Sequence, residues 1–425
     1  MAKIKEIRAR EILDSRGNPT IETTVVLNDN ATGIASCPSG ASVGGYEAAE
    51  LRDHDKNRFN GMGVLKAIDN VEKVIAPKLI GQDASKQQEI DRIMITLDGT
   101  QNKERLGANA TLSVSMAVCK AAARGSSLPL YVYLREFIKK ETSPLKIPVP
   151  LFNLINGGKH AANGLNLQEF LVIPASSKSF SDGLVMAVSI YQSLRTTLIN
   201  NNFLTFIGDE GGFTPLLASN MDAFSMLKQA INATTYRTGY DVFYGIDAAA
   251  NTFYEDKKYK LKDKNSALSS SELISYYEEI NNTYHLLYLE DAISEDDWEG
   301  WSELSTKMSQ DTIIVGDDLT ATNPYRLQIA LDRKAITGII IKPNQIGTVI
   351  EAMAVVEVAR EMGLKIIVSH RSGETNDDFI ADFAVAVSAD FAKFGAPARG
   401  ERVAKYNRLL QIEKQLKELN KGANP

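Results

Sequence analysis

Three acidic residues, Asp247, Glu290 and Asp317, stand at the ends of three successive apolar runs, DVFYGID (241–247), HLLYLED (285–291) and TIIVGDD (312–318). Carboxylates brought together without cations repel one another and raise their own pKa values, so such a set makes chemical sense as the holder of a divalent metal. Oxygen-only ligands point to Mg²⁺; no His/Cys cluster supports zinc, and no EF-hand spacing supports calcium. A single acid of this kind reads as a helix N-cap in a βα loop, but three in consecutive repeats do not. Lys342 and Lys393 end two further runs, TGIIIK (337–342) and DFAKFG (390–395). Beside a second cation and a metal, a lysine loses its preference for the ammonium form, its pKa falls, and it can take a proton from carbon. A lone lysine would instead snorkel to solvent, and a Schiff base is the rival chemistry. Three metal-type carboxylates argue against the Schiff base.

Two more acids stand apart from that set: Glu169 in NLQEFLVIP and Glu210 in GDEGGF. DEGG alone reads as a turn, yet a carboxyl kept protonated by a neighbouring carboxylate can protonate a leaving hydroxyl. His370-Arg371-Ser372-Gly373 directly follows a strand-like run, and Arg371 with Ser372 offers a fork of donors to a phosphate or carboxylate. Gly40-Ala41-Ser42-Val43-Gly44 fits the G-x-S-x-G pattern of a nucleophile elbow. Pro38 breaks the strand such an elbow needs, however, and no HGGG-type segment precedes it. The glycine pairs form neither GxGxxG nor GxxxxGK, so no nucleotide site is expected.

These residues must be positioned by the elements around them. From Glu290 the run-ending residues Asp317, Lys342, His370 and Lys393 follow at intervals of 27, 25, 28 and 23 residues. One strand, one helix and two short loops take about that many residues, so one polar residue recurs per βα unit at the strand's C-terminal end. Ile339-Ile340-Ile341 predicts strands buried on both faces, and Thr348 with Glu351 predicts a capped helix that Gly363 ends. The expected fold is α/β: a parallel β/α, TIM-like barrel over 139–425 behind a smaller α+β domain over 1–138. A doubly wound open sheet is the runner-up. In the first part, TIETTVVL (20–27), NDN and TGIAS predict a hairpin, and 107–124 a buried helix. The prolines of SPLKIPVP mark the junction.

Composition bounds the rest. The chain has 425 residues, 44% of them hydrophobic, and a net charge of −6, which supplies a large core and no basic footprint for nucleic acid. Cys37 and Cys119 form no CxxC pair and read as free thiols. The charged N-terminus lacks the apolar core of a signal peptide, and no run is long enough to span a membrane, so a soluble cytoplasmic protein is expected.

With these residues in view the chain resembles the enolase family over essentially its whole length. The likeness is carried by LDSRGNPT (13–20), PSGAS (38–42), LDGTQNKERLGANA (97–110), INGGKHA (155–161), QEF (168–170), GDEGGF (208–213), IKPNQIGT (341–348), SHRSGET (369–375) and APARGERVAKYN (396–407). The resemblance implies reversible dehydration of 2-phosphoglycerate to phosphoenolpyruvate with two Mg²⁺ per site, in at least a homodimer. It implies Lys342 as the base at C2, and Glu210, coupled to Glu169, as the acid at the C3 hydroxyl. Asp247, Glu290 and Asp317 would hold the first metal; Ser42, in a closing loop, would serve the second. Arg371 and Ser372 would bind phosphate and Lys393 the carboxylate, with His370, Gln168 and His160 lining the pocket.

Departures from the family pattern are Val43 for a threonine, Tyr46 for a histidine or arginine, Asn251-Thr252 for Ser-Glu, Asn376 for a glutamate and Phe394 for a threonine. The missing hydroxyl at Val43 and the bulk of Phe394 beside Lys393 predict a slowed enzyme. A related barrel enzyme acting on another carboxylate, or a paralogue with a binding role, are the competing expectations.

Overall fold

The structure, a computed structural model, describes residues 2–40, 45–138, 144–161 and 164–422, with the side chains of 160 and 420–422 outside the description. Strands β1 (Ile4–Leu13), β2 (Pro19–Leu27) and β3 (Thr32–Ser36) form an antiparallel sheet in that order. The hairpin β2–β3 is the expected one. Strand β1 was hidden in the sequence because a register shift between Ile4 and Glu6 breaks its alternation, leaving Ile4 and Ile7 buried three apart.

The helix Ala108–Gly125 lies on this sheet with fifteen of its residues buried. Close approach is what Gly33 allows: a Cβ there would stand 2.0 Å from Ala117 O and 2.4 Å from Ala121 N, both backbone atoms. Gly33→Ala is therefore expected to cost about 3 kcal/mol, the upper end of overpacking penalties because neither neighbour can rotate away. Urea unfolding against wild type checks this.

Beyond residue 148 the strands close into a barrel: β4 (Val149–Asn156), β5 (Glu169–Pro174), β6 (Val242–Asp247), then, after a small ribbon of β7 (Tyr254–Glu255) and β8 (Lys258–Tyr259), β9 (Leu286–Glu290), β10 (Ile313–Gly316), β11 (Gly338–Ile341), β12 (Lys365–Ser369) and β13 (Phe391–Lys393). The circuit runs β10-β11-β12-β13-β4-β5-β6-β9 and back. Two features differ from the expectation. The strand β5 is antiparallel to both β4 and β6, whereas every other described barrel pair is parallel. And β4 begins inside SPLKIPVP: Pro150 sits within a strand, where its missing N–H disguised the segment as a linker. The junction expected at 138/139 adjoins residues 139–143, which lie outside the described residues.

Alternation divides each strand between two cores. Leu151, Leu171, Ile173, Tyr288, Val315, Ile340, Ile367 and Phe391 fill the barrel, while Ile339 and Ile341 join the larger core beneath the outer helices. The helix Val349–Glu361 starts at Thr348, whose hydroxyl accepts from Glu351 N, and Gly363 at φ +78° follows its end. Among the described residues no helix is long and apolar enough to cross a membrane.

Candidate active site

Strand register assembles the site. Glu169 pairs with Asp247 and Asp247 with Glu290, so three carboxylates stand in a row on β5, β6 and β9. Because β5 runs backwards, its first residue reaches the rim that the others reach with their last. Spacing from strand C-terminal ends could not place Glu169 there.

Lys393, at the end of β13, reaches into this row. Its Nζ lies 2.8 Å from Glu290 Oε2, 2.9 Å from Asp247 Oδ2 and 3.2 Å from Glu169 Oε1. Burial works against the Lys393 ammonium, but the surrounding carboxylates outweigh it and hold the lysine well above its ordinary value. Burial and then Asp247 push Glu290 up to about 8, although Lys393 opposes them. Tyr288 donates to Glu290 Oε2 at 2.6 Å.

On the next strands round, Lys342, just past β11, pairs with Asp317, just past β10, and Gln345 Nε2 donates to the other Asp317 oxygen at 3.2 Å. Burial alone would lower the Lys342 pKa, but in the site without a cation Asp317 overrides it and raises the value; the sequence expectation concerned a lysine beside a bound metal. An adjacent carboxylate at contact distance exceeds the desolvation penalty. A base at Lys342 therefore requires Asp317 to be engaged elsewhere.

Glu210, on the GDEGG turn, accepts from Asn153 Nδ2 at 3.1 Å, and His370 Nε2 lies 3.6 Å from the same oxygen. Arg402 Nη1 lies 2.7 Å from His370 Nδ1. A guanidinium can only donate, so Nδ1 is the acceptor and the His370 proton sits on Nε2, facing Glu210. Burial keeps His370 neutral, its pKa down to about 3.

Together these side chains border one cavity of about 190 Å³ lined by Gln168, Glu169, Glu210, Asp247, Asp317, Lys342, His370, Arg371, Ser372 and Lys393. Glu290 lies behind that lining, against Lys393. The backbone of His160 closes the turn Gly158–His160; its side chain, Ser42 and Val43 lie outside the described residues.

Residues the sequence reading passed over also enter. Asp291 accepts from the backbone N–H groups of Asp317 and Asp318 at 2.9 and 2.8 Å, tying the ends of β9 and β10 together. One oxygen each from Asp291, Asp317 and Asp318 lies within 4.8 Å of the others. The doublets Glu290-Asp291 and Asp317-Asp318 were the available signal, a second acid beside each expected metal ligand. Glu47 and Arg402 carried no such signal, because their partners are distant in sequence.

Two departures look different in three dimensions. Asn251 accepts from Ser294 Oγ and Glu295 N at 3.0 and 2.9 Å and donates to Asp318 at 3.3 Å, so it belongs to the acidic loops. Phe394 is fully buried and packs on Tyr406, ring centroids 6.0 Å apart; it is absent from the cavity lining, contrary to the expectation that it crowds Lys393. Phe394, the first residue past β13, turns away from the side that Lys393 faces and joins the outer core.

The donor set fits a hard divalent cation. Glu169, Glu210, Asp247, Glu290 and Asp317 face Lys342 and Lys393, an excess of negative charge in a buried space with oxygen ligands only. Burial and then Asp317 push Asp318 up to about 7, another sign of that excess.

Comparison with known proteins agrees with this geometry. The family model described as "Enolase, N-terminal domain" matches residues 4–134, and "Enolase, C-terminal TIM barrel domain" matches 144–424. The chain belongs to the enolase family. It is 48% identical over 416 residues to the curated enolase of Anaplasma phagocytophilum (strain HZ), covering 98% of this chain and 95% of that one. It is accordingly an enzyme of the phosphopyruvate hydratase kind.

Proposed function

We propose that the chain catalyses the reversible, Mg²⁺-dependent dehydration of 2-phosphoglycerate to phosphoenolpyruvate. The observation that carries this reading is the single cavity bordered by a candidate base, Lys342, a candidate acid, Glu210, and two cationic side chains, Lys393 and Arg371, in a chain of this family. Lys342 takes the C2 proton. Glu210 gives a proton to the leaving C3 hydroxyl, with Glu169 beside it raising the cost of a second negative charge. Lys393 faces the substrate carboxylate, Arg371 and Ser372 the phosphate, and Gln168, His160 and His370 complete the lining. Asp247, Glu290 and Asp317 would hold one Mg²⁺, and Ser42 would contribute to a second.

A proton beside a carboxylate is very weakly acidic because its loss places two negative charges on one group; Lys393 faces that charge, and Mg²⁺ held by the carboxylates would supply the rest of the neutralisation. Enolase-superfamily sites are a known instance of a lysine or histidine base working beside Mg²⁺. Family membership favours an assembly of at least two copies, a cytoplasmic location and no membrane span.

The test is phosphoenolpyruvate absorbance from 2-phosphoglycerate, with Mg²⁺ and then with EDTA. Product that forms with the metal and stops with EDTA is the expected result. A folded, Mg²⁺-supplied protein that forms none would refute the reading and direct attention to other carboxylate substrates.

A further inference from the structure

Arg371 already holds an anion. Glu47 meets it in a two-pronged pair, Nη1–Oε2 2.8 Å and Nη2–Oε1 3.2 Å, with both side chains 6% exposed. Asn344 Oδ1 accepts from the same Nη1 at 3.1 Å, and Gln345 Nε2 reaches Glu47 Oε1 at 3.5 Å. A carboxylate seated on a guanidinium fork uses the donors that a phosphate would use. A phosphate arriving beside it would meet like charge in a buried space.

The neighbouring residue fixes Glu47 in that seat. The Tyr46 ring lies 4.0 Å from the Arg326 guanidinium, which lies 4.5 Å from the Trp298 ring. The Tyr46 hydroxyl donates to Asp296 Oδ1 at 3.0 Å, an oxygen that Arg326 Nη1 also approaches, at 3.3 Å. Arg326 is itself anchored, its Nε donating to Leu319 O at 2.8 Å and its Nη2 to Glu295 O. On the other side of Glu47, Ala48 N donates to Gln345 O at 2.8 Å. Glu47 is thus held between two fixed points of the barrel.

We propose that Tyr46 is a positioning residue that keeps Glu47 in the anion fork of Arg371, so that the substrate's phosphate binds by displacing an internal carboxylate. This rests on the reading of Arg371 as a phosphate ligand. Affinity for the phosphorylated acid is then the difference between two anions on one fork, and a looser Tyr46 seat shifts it toward substrate. The groups that move protons are untouched, so the effect falls on KM rather than kcat.

The experiment compares wild type, Tyr46→Phe, Tyr46→Ala, Glu47→Gln and the double variant Tyr46→Ala/Glu47→Gln in the 2-phosphoglycerate assay. Glu47→Gln is expected to lower KM about tenfold and Tyr46→Ala about threefold, with kcat within about twofold. Tyr46→Phe, which keeps its ring on Arg326, falls between Tyr46→Ala and wild type. If Tyr46 acts through Glu47, the double variant matches Glu47→Gln alone, a non-additivity that a general loss of packing would not produce.

A second readout needs no turnover. Trp298 and the fully buried Trp301 are the two tryptophans of the chain. Titration with inorganic phosphate should shift Trp298 emission, at lower concentration in Tyr46→Phe, which keeps the ring that links Glu47 to Arg326 and Trp298, than in wild type. Tyr46 is 39% exposed, so its removal leaves the core intact. A KM that is unchanged or raised in Glu47→Gln, or additive effects in the double variant, would overturn the proposal while the assigned reaction stands. A wild type that makes no phosphoenolpyruvate would remove both.

Discussion

Lys342→Ala is expected to lower kcat about 10⁴-fold, the upper range for loss of a positioned general base, while KM changes less than about threefold. The separation follows from the contacts. Lys342 touches Asp317 and borders the cavity, but the substrate's charged groups are assigned to Lys393, Arg371 and Ser372. Its removal therefore takes away proton transfer and leaves ground-state binding. Steady-state kinetics gives the split, and exchange of the C2 hydrogen with D₂O isolates the step, since exchange should vanish in the variant even where the back reaction is slow. A variant that retains a tenth of wild-type exchange would show that another group takes the proton.

Lys393→Met should be the most damaging substitution to the metal-free protein. The ammonium touches Glu169, Asp247 and Glu290, all with side chains no more than 5% exposed. Removing one partner of a buried charge network leaves the others uncompensated, at a cost of about 3–5 kcal/mol. Mg²⁺ should restore part of the loss, because a cation that binds only the folded state stabilises it by about 2.7 kcal/mol at a hundredfold excess over Kd. Thermal unfolding with EDTA and with MgCl₂ measures both quantities.

The pH dependence has a defined sign. Burial and Asp247 already push Glu290 up to about 8. A carboxyl raised in this way favours folding below its unfolded value of about 4.5 and loses that contribution as pH climbs through the folded value. Without the ammonium, which opposes that rise, Glu290 rises further. The deficit of Lys393→Met relative to wild type should therefore widen between about pH 7 and pH 9.5, as the wild-type Glu290 titrates and the variant's does not. An equal deficit at both, with no response to Mg²⁺, would show that the carboxylates are not the source of the instability.

The sequence by itself determined the chemistry's ingredients and the barrel's repeat. Acids, lysines and a histidine at intervals of 23 to 28 residues are legible because one βα unit consumes a fixed length of chain, and the buried strands announce themselves as β-branched runs. Asp317, Lys342, His370 and Lys393 were found that way, Asp247 as the end of an earlier run and Arg371 as the residue after His370, and all of them border one cavity.

What remained hidden depends on direction, facing or distance. The backward course of β5 brings Glu169 to the rim by its first residue, and strand direction is set by pairing with β4 and β6, not by local composition. Pro150 masked β4, and the shift near Ile4 masked β1, because each breaks the local signature while the sheet keeps its register. Phe394, the first residue past β13, faces the outer core and not the cavity.

Asp317, 25 residues away in sequence, meets Lys342 because β10 and β11 pair side by side, and in the site without a cation it holds the lysine's proton. The contacts of Glu47 with Arg371 span 324 residues and those of Tyr46 with Asp296 span 250. Pairs at that separation leave no periodic trace. Only the tertiary structure decided them, since charge pairing and ring stacking act through space and the chain order does not record which surfaces will meet.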